Sequence, residues 1–133
     1  MRVYFFDIDG TITTNEGFGL SERNVPRFIL HLGLRLYKPK IRPKALKIIN
    51  QCKNSGKITL ITARGKSLEK ITKGFLQKNL VYYDSLVFVE PGPGFYLRKV
   101  DIVEKEDDAM LFDNNKKILE EAKKRGVPCS PIL

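Results

Sequence analysis

The sequence contains few cysteines. Cys52 and Cys129 are the two among its 133 residues, which is too few for the disulfide framework of a small secreted domain. Their neighbouring residues suggest no metal-binding pair either. We therefore expect a reduced, cytoplasmic protein in which both cysteines act as small hydrophobic side chains.

Long hydrophobic runs are missing as well. No apolar stretch approaches the roughly 20 residues that span a bilayer, and the run before Asp7 is too short for the core of a signal peptide. These absences argue against a transmembrane segment and a secretory leader. The length suits one domain with one substantial core, so we expect residues 1–133 to form a single domain.

Acidic residues are scarce in one segment. Residues 21–57 contain ten Lys and Arg but one acid, Glu22, so this segment accounts for the whole net charge of +9. The excess predicts either an anionic partner or substrate, nucleic acid included, or a solvated basic face. The oligomeric state stays open, because the apolar face of a helix in this segment could also form an interface between copies.

Short apolar runs alternate with amphipathic segments along the chain. The runs predict buried strands at residues 2–6, 57–62, 85–90 and 109–113, with a short edge strand within 127–133. The amphipathic segments predict helices at residues 23–37, 43–55, 67–80, 101–106 and 115–125. Residues 95–100 are typical either of a short strand or of the lead into the helix at 101. This alternation predicts a three-layer, Rossmann-like α/β fold with a mostly parallel central sheet.

Polar side chains follow three of the predicted strands. Asp7 and Asp9 follow the first, Thr62 ends the second, and Asp113 ends the fourth. In parallel sheets ligands bind beyond the carboxyl ends of the strands, so these side chains should meet at one edge. Two carboxylates one residue apart repel each other and are costly to desolvate, and a bound cation would compensate.

Four stretches in this order resemble the haloacid dehalogenase-like (HAD) superfamily of Mg²⁺-dependent phosphatases and phosphotransferases. "DIDGT" (7–11) is similar to the first motif of that family, and "ITLIT" (58–62) to the second. "LFDNNKKILEEAKKRGV" (111–127) resembles the fourth, and a lysine shortly before it would be the third. The resemblance covers nearly the whole chain except residues 14–40. It implies a HAD-like fold and a phosphomonoester hydrolase that uses Mg²⁺.

The resemblance also implies roles for the polar residues at the strand ends. Asp7 would be the nucleophile that forms an aspartyl-phosphate, and Asp9 would protonate the leaving oxygen and then activate water. Mg²⁺ would be held by Asp7, the backbone carbonyl of Asp9 and Asp113. Many relatives carry a second acid after the last of these, where this sequence has Asn114, which could serve as an outer-shell ligand.

The remaining roles concern the phosphoryl group. The resemblance makes Thr62 a hydrogen-bond donor to it and a lysine the group that neutralises its charge. Lys99 is preferred over Lys105 because it stands near an expected helix start, and Lys66 is a weaker third choice. The residues expected to contact substrate are Gly10, Thr11, Ala63 and Arg64.

The insert at residues 14–40 is too short for a cap domain. It can hold a small flap and the helix at 23–37, which predicts an open site suited to a large or anionic phosphorylated substrate. Two alternatives remain. One is a basic module that binds nucleic acid or a protein partner, with weak catalysis on a HAD scaffold. The other is a phosphotransferase that keeps the aspartate nucleophile and changes the acceptor.

Overall fold

The computed structural model describes residues 1–14 and 40–133, so the predicted helix at 23–37 lies outside the described residues. Within the described part the chain forms one five-stranded sheet in which every paired strand is parallel. The strands are β1 (Arg2–Phe6), β2 (Gly56–Thr62), β3 (Ser85–Phe88), β4 (Ala109–Phe112) and β5 (Cys129–Ser130). The short last strand lies at the edge, as predicted.

Four α-helices connect these strands in the described part of the chain. They are α1 (Pro43–Cys52), α2 (Glu69–Lys78), α3 (Phe95–Glu104) and α4 (Lys116–Lys124), and a 3₁₀ turn at Lys66–Leu68 precedes α2. Local chemistry sets several of their ends. Pro43 occupies the first turn of α1, where its missing N–H costs nothing. The side chain of Asn115 accepts hydrogen bonds from two backbone N–H groups at the start of α4.

Two apolar layers enclose the sheet because successive strand residues point to opposite faces. Phe5 of β1 packs with α3 and α4, in a cluster that includes Leu111. Phe6, the next residue, packs on the other face with α1 and α2, in a cluster that includes Leu60. Helices on both faces of a parallel sheet confirm the predicted three-layer, Rossmann-like α/β fold.

The strand order, β3-β2-β1-β4-β5, places the first strand at the centre. On one side of β1 lie β2 and then β3. The chain then crosses to the other side of β1, where β4 and β5 lie. Ligands bind in the crevice that such a reversal opens at the carboxyl ends of the strands. The crevice here lies between β1 and β4, whose registered residues Phe6 and Phe112 stack with ring centroids 4.7 Å apart. Asp7 and Asp113 follow those two residues directly.

The segment before the fourth strand differs from one of the two expectations. Residues 95–100 are not a strand but the first half of α3, which begins at Phe95 and continues through residue 101. The helix begins earlier because Gly94 adopts φ +79 and turns the chain into it.

The two ends of the insert at residues 14–40 lie next to each other, since Thr13 and Ile41 form an antiparallel bridge. In the described part of the chain, no helix is long and apolar enough to span a membrane.

Candidate active site

The loop after β1 makes one tight turn over residues Ile8–Ile12. Gly10 adopts φ +82, which a residue with a Cβ rarely takes. Its N–H donates to Thr13 Oγ1 at 3.0 Å, and its carbonyl accepts from Arg42 at 3.3 Å and from Asn114 at 2.9 Å. The loop is therefore held by its own residues and its neighbours. Gly10 was expected to contact substrate, but its N–H is engaged inside the turn.

A buried ion cluster lies at the crevice. The ammonium of Lys99 contacts Asp7 Oδ1 at 2.5 Å and Asp113 Oδ2 at 3.0 Å. Lys99 is 1 % exposed and Asp113 is fully buried. Lys99 comes from α3, and Asp7 and Asp113 directly follow β1 and β4, which meet at the topological switch point. Of the three lysines considered from sequence, the structure places Lys99 in this cluster, whereas Lys105 and Lys66 are exposed.

Hydrogen bonds also hold the two carboxylate oxygens that Lys99 does not contact, Oδ2 of Asp7 and Oδ1 of Asp113. Thr11 Oγ1 donates to Asp7 Oδ2 at 3.1 Å and accepts from the Asn114 N–H at 3.0 Å. The Asn115 N–H donates to Asp113 Oδ1 at 2.8 Å. Both carboxylates are thus held rigidly, each between the shared ammonium and a donor of the neighbouring loop.

The cluster raises the pKa values of Asp7 and Lys99. Burial and then the charge of Asp113 raise the pKa of Asp7 to about 7, and the attraction of Lys99 only partly opposes this. Burial alone would lower the pKa of Lys99, but the two carboxylates outweigh it and raise that pKa. Lys99 is therefore charged throughout the physiological range, and the site can accept additional positive charge.

Asp9 points to a different partner, Arg64 at the end of β2. The guanidinium donates to both carboxylate oxygens, at 2.7 and 2.9 Å, and also to Thr72 Oγ1 at 3.1 Å. Arg64 is 3 % exposed and lies 6.0 Å from the Phe75 ring centroid. The charge of Asp9 outweighs the effect of burial and raises the pKa of Arg64. Arg64 was expected to contact substrate, whereas here its side chain is committed to Asp9.

Thr62 and Ala63 lie beside this pair at the carboxyl end of β2, and both are buried. Thr62 Oγ1 accepts a hydrogen bond from the Arg64 N–H at 3.2 Å. A hydroxyl that accepts one hydrogen bond still has a proton to donate. The predicted role of Thr62 as a donor is compatible with this contact, and Ala63 contributes only backbone and a methyl group.

Asn114 links the loop after β1 to the C-terminal segment. Its Nδ2 donates to the carbonyls of Gly10 and Ile132, at 2.9 and 2.8 Å, and its Oδ1 accepts from the Ile132 N–H at 2.7 Å. Three hydrogen bonds therefore engage an amide that was expected near a metal ion. Its predicted place as an outer-shell ligand stays a prediction.

The residues at the crevice fit a magnesium ion by their chemistry. Among residues 1–14 and 40–133 no group of three or more His, Cys, Asp or Glu side chains could hold a metal ion. Mg²⁺, however, is commonly bound through one or two carboxylates, with water and substrate oxygens filling its octahedron. Asp7 and Asp113 supply two such carboxylates, and the repulsion between them favours a cation.

Sequence reasoning missed two residues that support the site, Arg42 and Thr72. Arg42, directly before α1, donates to the carbonyls of Gly10 and Thr11 and so holds the loop after β1. Thr72 is fully buried and anchors the guanidinium of Arg64. A signal for Thr72 was present: it stands between Leu68 and Leu76, four residues from each, and is thus a polar residue on an apolar stripe.

Two solved structures resemble this chain in fold. One is titled "Structure of Pnkp1/Rnl/Hen1 complex", with TM-score 0.71 and 15% identity over 98% of this chain. The other is titled "Structure of the Pnkp1/Rnl/Hen1 RNA repair complex", with TM-score 0.73 and 16% identity over 98% of this chain. This chain covers 45% and 42% of theirs, which is less than half of each. No protein-family model and no curated protein matches the sequence. At such identity the likeness shows a shared α/β fold.

Proposed function

We propose that the chain is a Mg²⁺-dependent phosphohydrolase that cleaves phosphomonoesters through an aspartyl-phosphate on Asp7. The observation that carries the proposal is the buried cluster of Asp7, Lys99 and Asp113 at the switch point of the sheet. The HAD-like order of motifs supports it, because the same residues were selected by that resemblance.

The reaction has two steps. A carboxylate oxygen of Asp7 attacks phosphorus, the bond to the leaving oxygen breaks, and Asp9 gives that oxygen a proton. Water then attacks the aspartyl-phosphate, Asp9 takes back a proton, and inorganic phosphate leaves with Asp7 regenerated. Bound Mg²⁺, held by Asp7, Asp113 and the carbonyl of Asp9, would supply charge that stabilises the phosphoryl oxygens.

Lys99 has two tasks in this proposal. Its ammonium orients Asp7 through Oδ1, while Thr11 holds Oδ2. It also adds a fixed positive charge next to the attacking carboxylate, where charge on the transferred group is greatest. Because Lys99 is buried and rigid, this charge needs little reorganisation during the reaction.

Hydrolysis of p-nitrophenyl phosphate tests the proposal. We expect turnover with Mg²⁺ that disappears with EDTA, and that falls at least about a hundredfold in Asp113→Asn, because one of two carboxylate ligands is lost. Asp107→Asn is the matched control, since Asp107 is exposed and lies at the opposite edge of the sheet. Equal rates with Mg²⁺ and with EDTA would rule out the metal-dependent mechanism.

Arg64 acts as a positioning residue for Asp9. Arg64→Lys keeps a positive charge but loses the two-point contact. We expect kcat to fall about tenfold for an alkyl phosphate, whose leaving oxygen needs a proton, and much less for p-nitrophenyl phosphate. Arg2→Lys is the control, because Arg2 forms an exposed pair with Asp108, 3.0 Å apart. Equal losses on both substrates would show that Arg64 only supports the fold.

A binding module with weak catalysis is the second candidate. The similarity in fold to chains of an RNA repair complex favours it, as does the net charge of +9. In that case binding to nucleic acid would depend steeply on salt and would not change in Asp113→Asn. A phosphotransferase would differ only in the acceptor, and added alcohols would then divert phosphate from water.

A further inference from the structure

A groove of about 320 Å³ runs between α3 and α4. It is lined by Tyr96, Lys117, Glu120, Glu121 and Lys124. Its place follows from helix geometry. Tyr96 precedes Lys99 by three residues and so lies on the same side of α3, one turn nearer the carboxyl edge of the sheet. Lys117 lies in the first turn of α4, four residues after Asp113. The end of the groove formed by Tyr96 and Lys117 therefore lies toward the carboxyl edge of the sheet, the edge that carries the proposed phosphate site.

The aromatic ring in this groove is held in place. Tyr96 is half-buried, packs on the apolar cluster beneath α3 and α4, and meets the Phe95 ring edge-to-face at 6.0 Å. The ammonium of Lys117 lies 6.0 Å from the centroid of the Tyr96 ring. Proteins bind single strands through aromatic side chains on which bases stack and through basic side chains that contact the backbone, and Tyr96 and Lys117 supply one of each.

The two carboxylates of the groove differ in their partners. Glu121 is paired with Arg125 at 2.7 Å. Glu120 is exposed, and within residues 1–14 and 40–133 it makes no hydrogen bond or ion pair. An exposed carboxylate repels phosphate but accepts hydrogen bonds from the amino and imino groups of a base. The groove therefore combines a stacking surface, an acceptor for a base edge and two lysines for backbone phosphates.

Charge on the rest of the surface favours the same ligand. Basic residues Lys40, Arg42, Lys66, Lys116 and Lys117 lie at the carboxyl edge, around the crevice. Four of the five residues at 104–108 are acidic, and they lie at the opposite edge, where α3 ends and β4 begins. A polyanion would therefore approach the protein from the side of the crevice.

We propose that this groove binds the nucleotide next to the phosphorylated end of a nucleic acid strand, with its base stacked on Tyr96. The inference rests on the proposed function, and it names the substrate of that site: a terminal phosphate of a single strand. Lys117 and Lys124 then contact the phosphate that joins this nucleotide to the next.

Binding in EDTA tests the inference without hydrolysis. The probe is a fluorescent single-stranded RNA of about ten nucleotides with a terminal phosphate, measured by fluorescence anisotropy at two salt concentrations. We expect Tyr96→Ala and Lys117→Ala each to weaken binding about tenfold, and Tyr96→Phe to bind like the wild type. Separate arms place the phosphate at the 3′ or the 5′ end and replace RNA by DNA, and binding that Tyr96→Ala weakens in any arm supports the inference.

The chain offers a matched control pair at the other end of the sheet. Lys53 lies 5.0 Å from the ring centroid of Tyr82, which is 40% exposed. Tyr82→Ala and Lys53→Ala should therefore leave binding unchanged. A probe whose terminal nucleotide is abasic should bind the wild type about tenfold more weakly, a result that needs no protein variant.

The outcomes separate this inference from the proposed function. Equal affinity for abasic and intact probes, or equal effects of Tyr96→Ala and Tyr82→Ala, would overturn it. Weaker binding in Tyr96→Ala and Lys117→Ala supports the groove even if no phosphate is released, in which case it is the hydrolase that fails. Melting curves of all variants identify any loss that comes from unfolding.

Discussion

Lys99→Met should lower the free energy of unfolding of the metal-free protein by about 3–5 kcal/mol, because it leaves two buried carboxylates without their shared cation. Methionine has nearly the length of lysine and fills the same space, so the loss reports charge rather than packing. Asp113 is fully buried and Asp7 is 8 % exposed, so water cannot replace the ammonium. Urea denaturation in EDTA measures the difference.

The same substitution should also reduce turnover of p-nitrophenyl phosphate at least about a hundredfold, since the fixed charge beside Asp7, the proposed nucleophile, is lost. Mg²⁺ should restore part of the stability of Lys99→Met, because a cation held by the same carboxylates offsets their repulsion. Lys105→Met is the control, as Lys105 lies exposed at the far end of α3. If both substitutions cost the same stability, the ion cluster contributes nothing to it.

The fold could be predicted because its main signals are local. Apolar runs such as residues 58–62 are buried in the centre of the sheet, and amphipathic segments such as Ala45 to Cys52 turn their apolar side to it. The strand ends also predicted which side chains meet, since parallel strands end at the same edge. Asp7 and Asp113 came together because β1 and β4 are neighbours, and this proximity depends on strand order rather than on either motif.

Side-chain partners could not be predicted in the same way. Arg64 reaches Asp9 only because α2 places Thr72 and Phe75 around the guanidinium, a contact between residues far apart in sequence. Asn114 faces Ile132 because the C-terminal segment returns past the end of β4. The hydrophobic periodicity of the sequence predicts neither the contact between Arg64 and Asp9 nor the contact between Asn114 and Ile132. The early start of α3 was ambiguous for another reason: Phe95 and Tyr96 favour strands, and the tertiary contacts of Lys99 and Val100 override them.

Asp7→Asn should separate activity from stability, because it is expected to change them in opposite directions. Turnover of p-nitrophenyl phosphate with Mg²⁺ should fall at least about a thousandfold, since an amide cannot form the aspartyl-phosphate. The metal-free protein should instead melt about 3–6 °C higher near pH 8. The reason is that burial and the charge of Asp113 raise the pKa of Asp7 from 3.8 to about 7, so above that pH the folded protein carries a charge that opposes folding.

The sign of this effect fixes its pH dependence. A carboxyl group whose pKa is raised on folding binds its proton more tightly in the folded state, so its contribution to stability falls as the pH rises from 3.8 to about 7. The amide of the Asp7→Asn variant carries no such charge, and the difference in melting temperature in EDTA should therefore be near zero at about pH 4 and grow up to about pH 7. Asp107→Asn, at an exposed carboxylate, should change neither melting temperature nor turnover. An Asp7→Asn variant that keeps its turnover would exclude Asp7 as the nucleophile. One that melts lower than the wild type near pH 8 would mean that the attraction between Asp7 and Lys99 outweighs the cost of burying the carboxylate.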